Sequence, residues 1–298
     1  MERKWTGTTY GSHRMLQWLI CLLKHTDVRV WYVFAAIFVI PVCLLLNSSS
    51  GIIYRYFRYQ HGYGILKSAL KTYTNHCLFG QMVIDKFAMY AGKRFHIAIE
   101  GGEYFQHLAD KPESFLQLSS HIGNYEIAGY TLKAEQKAFN ALVFSGEKAM
   151  VMENRAKLFN NTNIRMIAIR PDMGHLFEID AAIGKGEIIS MTADRILGSQ
   201  KKLRLKLLHE TASFPYGPFN LAAMHSLNVI AVHVVKTSLK SYKIYVTPLT
   251  YDKEAPRKKQ VEELAGKYVA EVEQMLRRYP AQWFNYFEFW EDDERQGL

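Results

Sequence analysis

The sequence predicts an α/β protein, a largely parallel mixed sheet flanked by helices and preceded by an N-terminal apolar helix. Two patterns carry that prediction. From about residue 94 onward, short apolar strands alternate with helical stretches, as expected of a parallel sheet with crossover helices. Ahead of that region, residues 30–46 read VWYVFAAIFVIPVCLLL without a single charge, a helix suited either to a membrane or to a protein core.

Taken in order, the N-terminal run follows a shorter apolar stretch, MLQWLICLL at residues 15–23, and basic residues Arg3, Lys4, Arg14, Lys24 and Arg29 precede it. Pro41 predicts a kink, so the two stretches fit either a kinked anchor or an interfacial helical hairpin. Trp18, Trp31, Tyr32, Tyr54 and Tyr56 suit a water–lipid boundary, which favours membrane attachment over a core helix. No A-x-A cleavage site follows, and the segment reads as a retained anchor. Residues 1–50 are therefore expected to form the anchor and residues 51–298 one α/β domain.

A Tyr-rich helical region comes next, to about residue 90. Strands are predicted at 94–100, 115–119, 139–144, 164–169, 187–192, 229–235 and 242–246, and helices at 125–136, 151–159, 175–183 and 219–227. Residues 260–278 form a closing amphipathic helix, with Val261, Leu264, Tyr268, Val272, Met275 and Leu276 at helical spacing. The aromatic tail WFNYFEFW, residues 283–290, precedes an acidic EDDE.

Composition narrows the function classes. At 298 residues, with 49% hydrophobic and 22% charged residues, the chain can bury a core and is not disordered. Its 37 Lys and Arg against 28 Asp and Glu leave a net charge of +9, which calls for an anionic partner. The basic clusters are short (Lys201, Lys202, Arg204 and Lys206, then Arg257, Lys258 and Lys259), without a base-stacking aromatic stripe, so nucleic acid is not expected. A phospholipid surface or an acidic protein remains. Three cysteines without CxxC spacing support neither a disulfide framework nor zinc, and His209 with Glu210 lacks a second ligand pair. No metal and no cofactor is expected.

The chain has no GxSxG elbow, no phosphate loop, no GxGxxG after a strand and no HExxH. It does have SSHIGNYEIAG, residues 119–129, where a strand should end and a helix begin. His121 and Glu126 are five apart, out of phase on one helix. They can meet if His121 lies in the preceding turn, with Gly123 permitting the turn and Asn124 as N-cap. Glu126 would then orient the imidazole as a general base acting on a hydroxyl or amine. A structural histidine is the bland alternative for such a short match.

Three motifs occur in sequence: HIGNYE, then MTADR ending in Asp194 and Arg195, then FPYGPFNLA containing Gly217 and Pro218. In that order they resemble the lipid A biosynthesis acyltransferase family, a branch of the lysophospholipid acyltransferase-like group marked by a His with an acidic residue five positions on. The resemblance covers most of residues 92–290. The tail and the opening WTGTTYGSHRM look more like a branch of undefined acceptor, including acyltransferases of pigment and aminolipid pathways. It implies O-acyl transfer from acyl carrier protein, or from acyl-CoA, to a hydroxyl of a lipid acceptor at the cytoplasmic face of the bacterial inner membrane. It also implies His121 and Glu126 as a catalytic dyad, with Gly123, Asn124, Asp194, Arg195, Gly217 and Pro218 around the substrate. Arg195 stands where the lipid A enzymes usually carry Gln, their Tyr-Arg pair is absent at residues 143–145, and LLHETASF replaces their FFG segment. The dyad is untouched by these departures, whereas the acceptor is not carried over. The competing class is a non-catalytic basic membrane adaptor, which leaves the clustering of His121, Glu126 and Asp194 without a purpose.

Overall fold

The computed structural model describes residues 13–47, 49–132, 134–144, 163–170, 172–196 and 201–290. The helix expected at 151–159 and the acidic EDDE lie outside them. Among the described residues, helices α1 (His13–His25), α2 (Val28–Phe34), α3 (Ile40–Leu46) and α4 (Ser49–Arg55) lead into the 26-residue α5 (Ile65–Tyr90). Asp27 caps α2, accepting the Arg29 N–H at 2.9 Å. Pro41 cannot donate to the helical ladder, and the turn ahead of it, Ala35–Val39, widens so that the Ile40 N–H reaches Ala35 O. The disturbance expected at Pro41 is thus taken up as a π-turn in a continuing helix.

Val28–Leu46 is, among the described residues, the one helical run long and apolar enough to cross a membrane, with mean hydropathy 2.3 and 17% of it buried. Its buried side lies on α5: the Tyr73 hydroxyl donates to Ala36 O at 2.8 Å, and Val28 and Tyr32, with Leu23 of α1, pack on Phe87 and Ala88. A buried polar cluster pins the same contact to the sheet. Asp85 of α5, fully buried, accepts from the Lys236 ammonium and from the hydroxyls of Tyr32 and Tyr242. Burial pushes the Asp85 carboxyl up and the Lys236 ammonium down, and each partner pulls the other back toward its charged form.

The sheet has seven strands in the order β1 (His96–Glu100), β9 (Ser241–Pro248), β8 (Asn228–Ser238), β2 (Phe115–Gly123), β5 (Ile188–Thr192), β3 (Phe139–Phe144) and β4 (Ile164–Ile169). From β8 to β4 all neighbours are parallel, β9 returns antiparallel to β8, and β1 runs parallel to β9. This is the largely parallel mixed sheet expected from the strand–helix alternation. β2, at the centre, is buried along nearly its whole length, as a strand covered on both faces must be. One face packs on α9 (Gly217–Met224) and α10 (Arg257–Arg278) through Phe219, Leu264, Tyr268 and Val272. The other packs under α6 (Gly102–Ala109) and α7 (Glu126–Thr131) through Phe105, Phe115 and Ile127. Between β4 and β5 lies α8 (His175–Gly184).

Several expectations need correction. The helix expected at 125–136 stops at Thr131, because Leu132 turns extended. The strand expected at 115–119 continues to Gly123, which carries His121 within it instead of in a following turn. Two elements were not anticipated: α6, and an antiparallel ribbon of β6 (Lys202–Leu207) and β7 (Glu210–Pro215). In KLRLKL the leucines alternate with Lys202, Arg204 and Lys206, a period-2 signal that a reading of charge alone passes over.

Candidate active site

His121 sits at the carboxyl end of central strand β2, where sites in parallel sheets form. The parallel register pairing Ser119 with Thr192 of β5 carries two residues further and sets His121 beside Asp194. The Asp194 carboxylate holds the histidine twice. Oδ1 accepts from imidazole Nδ1 at 2.7 Å, and Oδ2 accepts from the His121 backbone N–H at 2.8 Å. The Trp283 indole N–H also donates to Oδ2, at 3.3 Å.

Charge states follow from these contacts. Burial works against the charge on Asp194, but His121, its hydrogen bonds and nearby Arg195 outweigh it and hold the carboxyl down at about 2. Burial lowers the His121 pKa against the pull of Asp194, and Arg195 lowers it further. An ionised carboxylate only accepts, so Nδ1 of the neutral imidazole carries the proton. Nε2 is left with the lone pair, which is the state a general base requires. The His121 side chain retains 16% exposure while Asp194 has none, so the imidazole meets solvent and its partner does not.

Gly123 shapes the exit from the strand. At φ +62° it occupies the left-handed region, and a Cβ there would lie 1.9 Å from Val234 O of β8. The next amide, from Asn124, donates to that same carbonyl at 2.9 Å. Asn124 therefore lies one residue outside the helix cap: Tyr125 is the N-cap of α7, with no side-chain capping bond, and Asn124 accepts the Ile127 N–H through its backbone carbonyl. Glu126 opens the first turn, as expected, and forms an ion pair of 2.7 Å with Lys86 of α5. The structure thus brings Asp194 to the Nδ1 position that sequence reasoning left to Glu126, and ties Glu126 to α5 through Lys86.

Arg195 follows Asp194, donates from Nη2 to Phe284 O at 2.6 Å and lies over the Phe287 ring, 5.0 Å from its centroid. Tyr125 meets the His121 ring edge-on, with centroids 5.6 Å apart. Beneath the site, His233 of β8 shares a 2.9 Å hydrogen bond with Ser120, and burial lowers its pKa to about 4. Gly217 and Pro218 open α9 just past the β6–β7 ribbon, a helix-start role. Sequence reasoning missed Trp283 and Lys86 as neighbours of the site. The aromatic tail was visible as a feature, but nothing in its spacing marks which indole turns toward Asp194.

A model of the bacterial lipid A biosynthesis acyltransferase family matches residues 79–290, a stretch holding His121, Glu126, Asp194 and the tail to Trp290. The chain belongs to that family. It is an acyltransferase of lipid biosynthesis, and the resemblance seen in the three sequence motifs is the same assignment. Among solved structures, the chain is similar to the crystal structure of PlsC, the 1-acyl-sn-glycerophosphate (LPA) acyltransferase from Thermotoga maritima. The identity is 14% and the TM-score 0.40, over 91% of this chain and 100% of that one. A search of curated proteins finds no match. Within this acyltransferase, His121 lies near the end of β2, Glu126 at the start of α7 and Asp194 two residues past the end of β5.

Proposed function

We propose that this acyltransferase carries a fatty acyl chain from an acyl thioester, acyl carrier protein foremost, to a hydroxyl of a lipid acceptor at a membrane surface, with His121 as general base. The observation that supports it most is the imidazole held through Nδ1 by an ionised Asp194 at the end of a parallel strand. In the step, Nε2 takes the acceptor hydroxyl proton as the oxygen attacks the thioester carbonyl. The tetrahedral oxyanion collapses, the C–S bond breaks, and the imidazolium returns its proton to the leaving thiolate. An ester and a thiol result, without a covalent enzyme intermediate.

Asp194 takes the orienting role and stabilises the imidazolium, while Glu126, paired with Lys86, holds the first turn of α7 against α5 beside the base. Arg195 places its positive charge beside Asp194 and ties the tail to the site through Phe284 O. Membrane attachment rests on Val28–Leu46, where Phe38, Leu45 and Leu46 are 61%, 86% and 82% exposed, too much apolar surface to leave in water. Leu66 and Leu70 of α5 extend the exposed apolar surface beyond that run. For the donor, the outward face of β6, with Lys202, Arg204 and Lys206, suits an acidic carrier.

The test is acyl transfer by the purified protein in detergent, with acyl carrier protein and coenzyme A thioesters offered side by side to a lipid hydroxyl. His121→Ala should lower transfer with either donor by about 10²- to 10⁴-fold. Full turnover in that variant would overturn the base assignment.

A further inference from the structure

The aromatic tail crosses the site as a strap. Trp283 forms an antiparallel bridge with Ile122, and the Phe284 N–H donates to His121 O at 2.9 Å. This happens just past the last pair of β2 with β5, Ser119 with Thr192, in the stretch where β2 also shifts register against β8, so the tail meets a β2 carbonyl that β5 no longer reaches. Asn75 of α5, fully buried, secures the tail from behind. Its amide donates to Ala281 O and Trp283 O at 3.1 and 2.9 Å, and its oxygen accepts from the Tyr286 hydroxyl at 3.0 Å.

We infer that Trp283 is a positioning residue for the reaction: its indole N–H, delivered by the strap, completes the donor set of Asp194 and thereby sets the orientation and basicity of His121. This rests on the reading of His121 as the base. Trp283 is 1% exposed and packs against Tyr56, Phe289 and Trp290, so its ring cannot swing away from the carboxylate. With His121 Nδ1–H on Oδ1 and the His121 amide on Oδ2, the indole is the third donor to Asp194 and, among the described residues, the one supplied from outside His121. Each donor disperses charge from the carboxylate. Removing the indole donor leaves the remaining charge to hold the imidazolium more tightly, which raises the His121 pKa.

The groups facing His121 are Asp194 and Arg195 from the end of β5 and Tyr125 from the α7 cap, with His233 of β8 and Tyr268 of α10 facing Asp194. None of these is altered in Trp283→Phe, which keeps an apolar ring and deletes the donor. The variant should lose roughly 10- to 100-fold in kcat, the range for one hydrogen bond to a charged group. KM for the thioester should stay near the wild-type value, and the acid limb of the pH–rate profile should move to higher pH. A merely structural Trp283 would lower melting temperature and leave that limb in place.

A second measurement covers a variant that fails to fold. In the wild-type chain labelled at indole nitrogen, one indole N–H signal should titrate with the acid limb, and that response should vanish in His121→Ala. An unmoved acid limb in a folded Trp283→Phe, or no titrating indole signal in the wild type, overturns the inference while an inactive His121→Ala leaves the base assignment standing. An active His121→Ala would instead overturn the base assignment itself.

Discussion

Two buried carboxylates in this protein have similar surroundings and opposite uses. Asp194 accepts from His121 Nδ1, the His121 amide and Trp283, and Asp85 accepts from Lys236, Tyr32 and Tyr242. Both are fully buried, and each is hydrogen-bonded to one basic side chain. The difference lies in that partner. An imidazole has a second nitrogen, so after Nδ1 is committed, Nε2 remains on a partly exposed side chain. An ammonium has donors only, and with 6% of its side chain exposed Lys236 has nothing to offer a substrate. The same carboxylate chemistry thus holds the proposed base in one place and a bolt between α2, α5 and β8 in the other.

The comparison breaks most visibly at the proposed base. His121→Ala and Asp194→Asn should each lower kcat by about 10²- to 10⁴-fold with melting temperature little changed, the usual cost of a positioned acid–base group. Glu126→Gln should cost less than Asp194→Asn, because its recorded ion pair is with Lys86; equal losses would return the orienting role to Glu126. Steady-state kinetics of the purified variants decide it.

At the other carboxylate the sign reverses. Lys236→Ala should leave Asp85 as an uncompensated buried charge and lower stability by about 3–5 kcal/mol, whereas the paired replacement Asp85→Leu with Lys236→Met should lower it much less. Denaturant unfolding of the three chains measures this, and kcat of whatever remains folded should be close to wild type. A large kcat loss in the folded fraction would mean that the bolt also serves catalysis.

The histidines sharpen the contrast through pH. His233 has its pKa lowered from 6.5 to about 4 by burial. The unfolded chain takes up that proton below 6.5 and the native chain refuses it until about 4, so its stability contribution is full above 6.5 and fades as pH falls toward 4. Melting temperature should drop over that window, and His233→Gln should flatten the drop. His121 is shifted in the same direction, so the acid limb of kcat/KM should lie below the ordinary histidine range.

The smallest expected effect concerns the donor. Replacing Lys202, Arg204 and Lys206 with Glu should slow transfer from acyl carrier protein several-fold and leave transfer from acyl-CoA nearly unchanged. Salt should mimic the change in the wild type, since the Debye length falls to ~3 Å at 1 M.

Much of this molecule is written in local pattern. Ile164–Ile169 and Phe139–Phe144 are strands where apolar runs predict them, and α10 follows the spacing of Val261, Leu264, Tyr268 and Val272, because period and burial are properties of neighbouring residues. The three motifs in their order were also enough to place the chain in its family. Other features depend on residues distant in sequence. Asp194 is 73 positions from His121, and Trp283 is 89 from Asp194. These three meet only because β5 lies beside β2 in a particular register and the tail returns across the slip at Gly123. Glu126, five residues from His121, was the partner that local reasoning could see. Strand order, which no local period encodes, brought Asp194 to the imidazole.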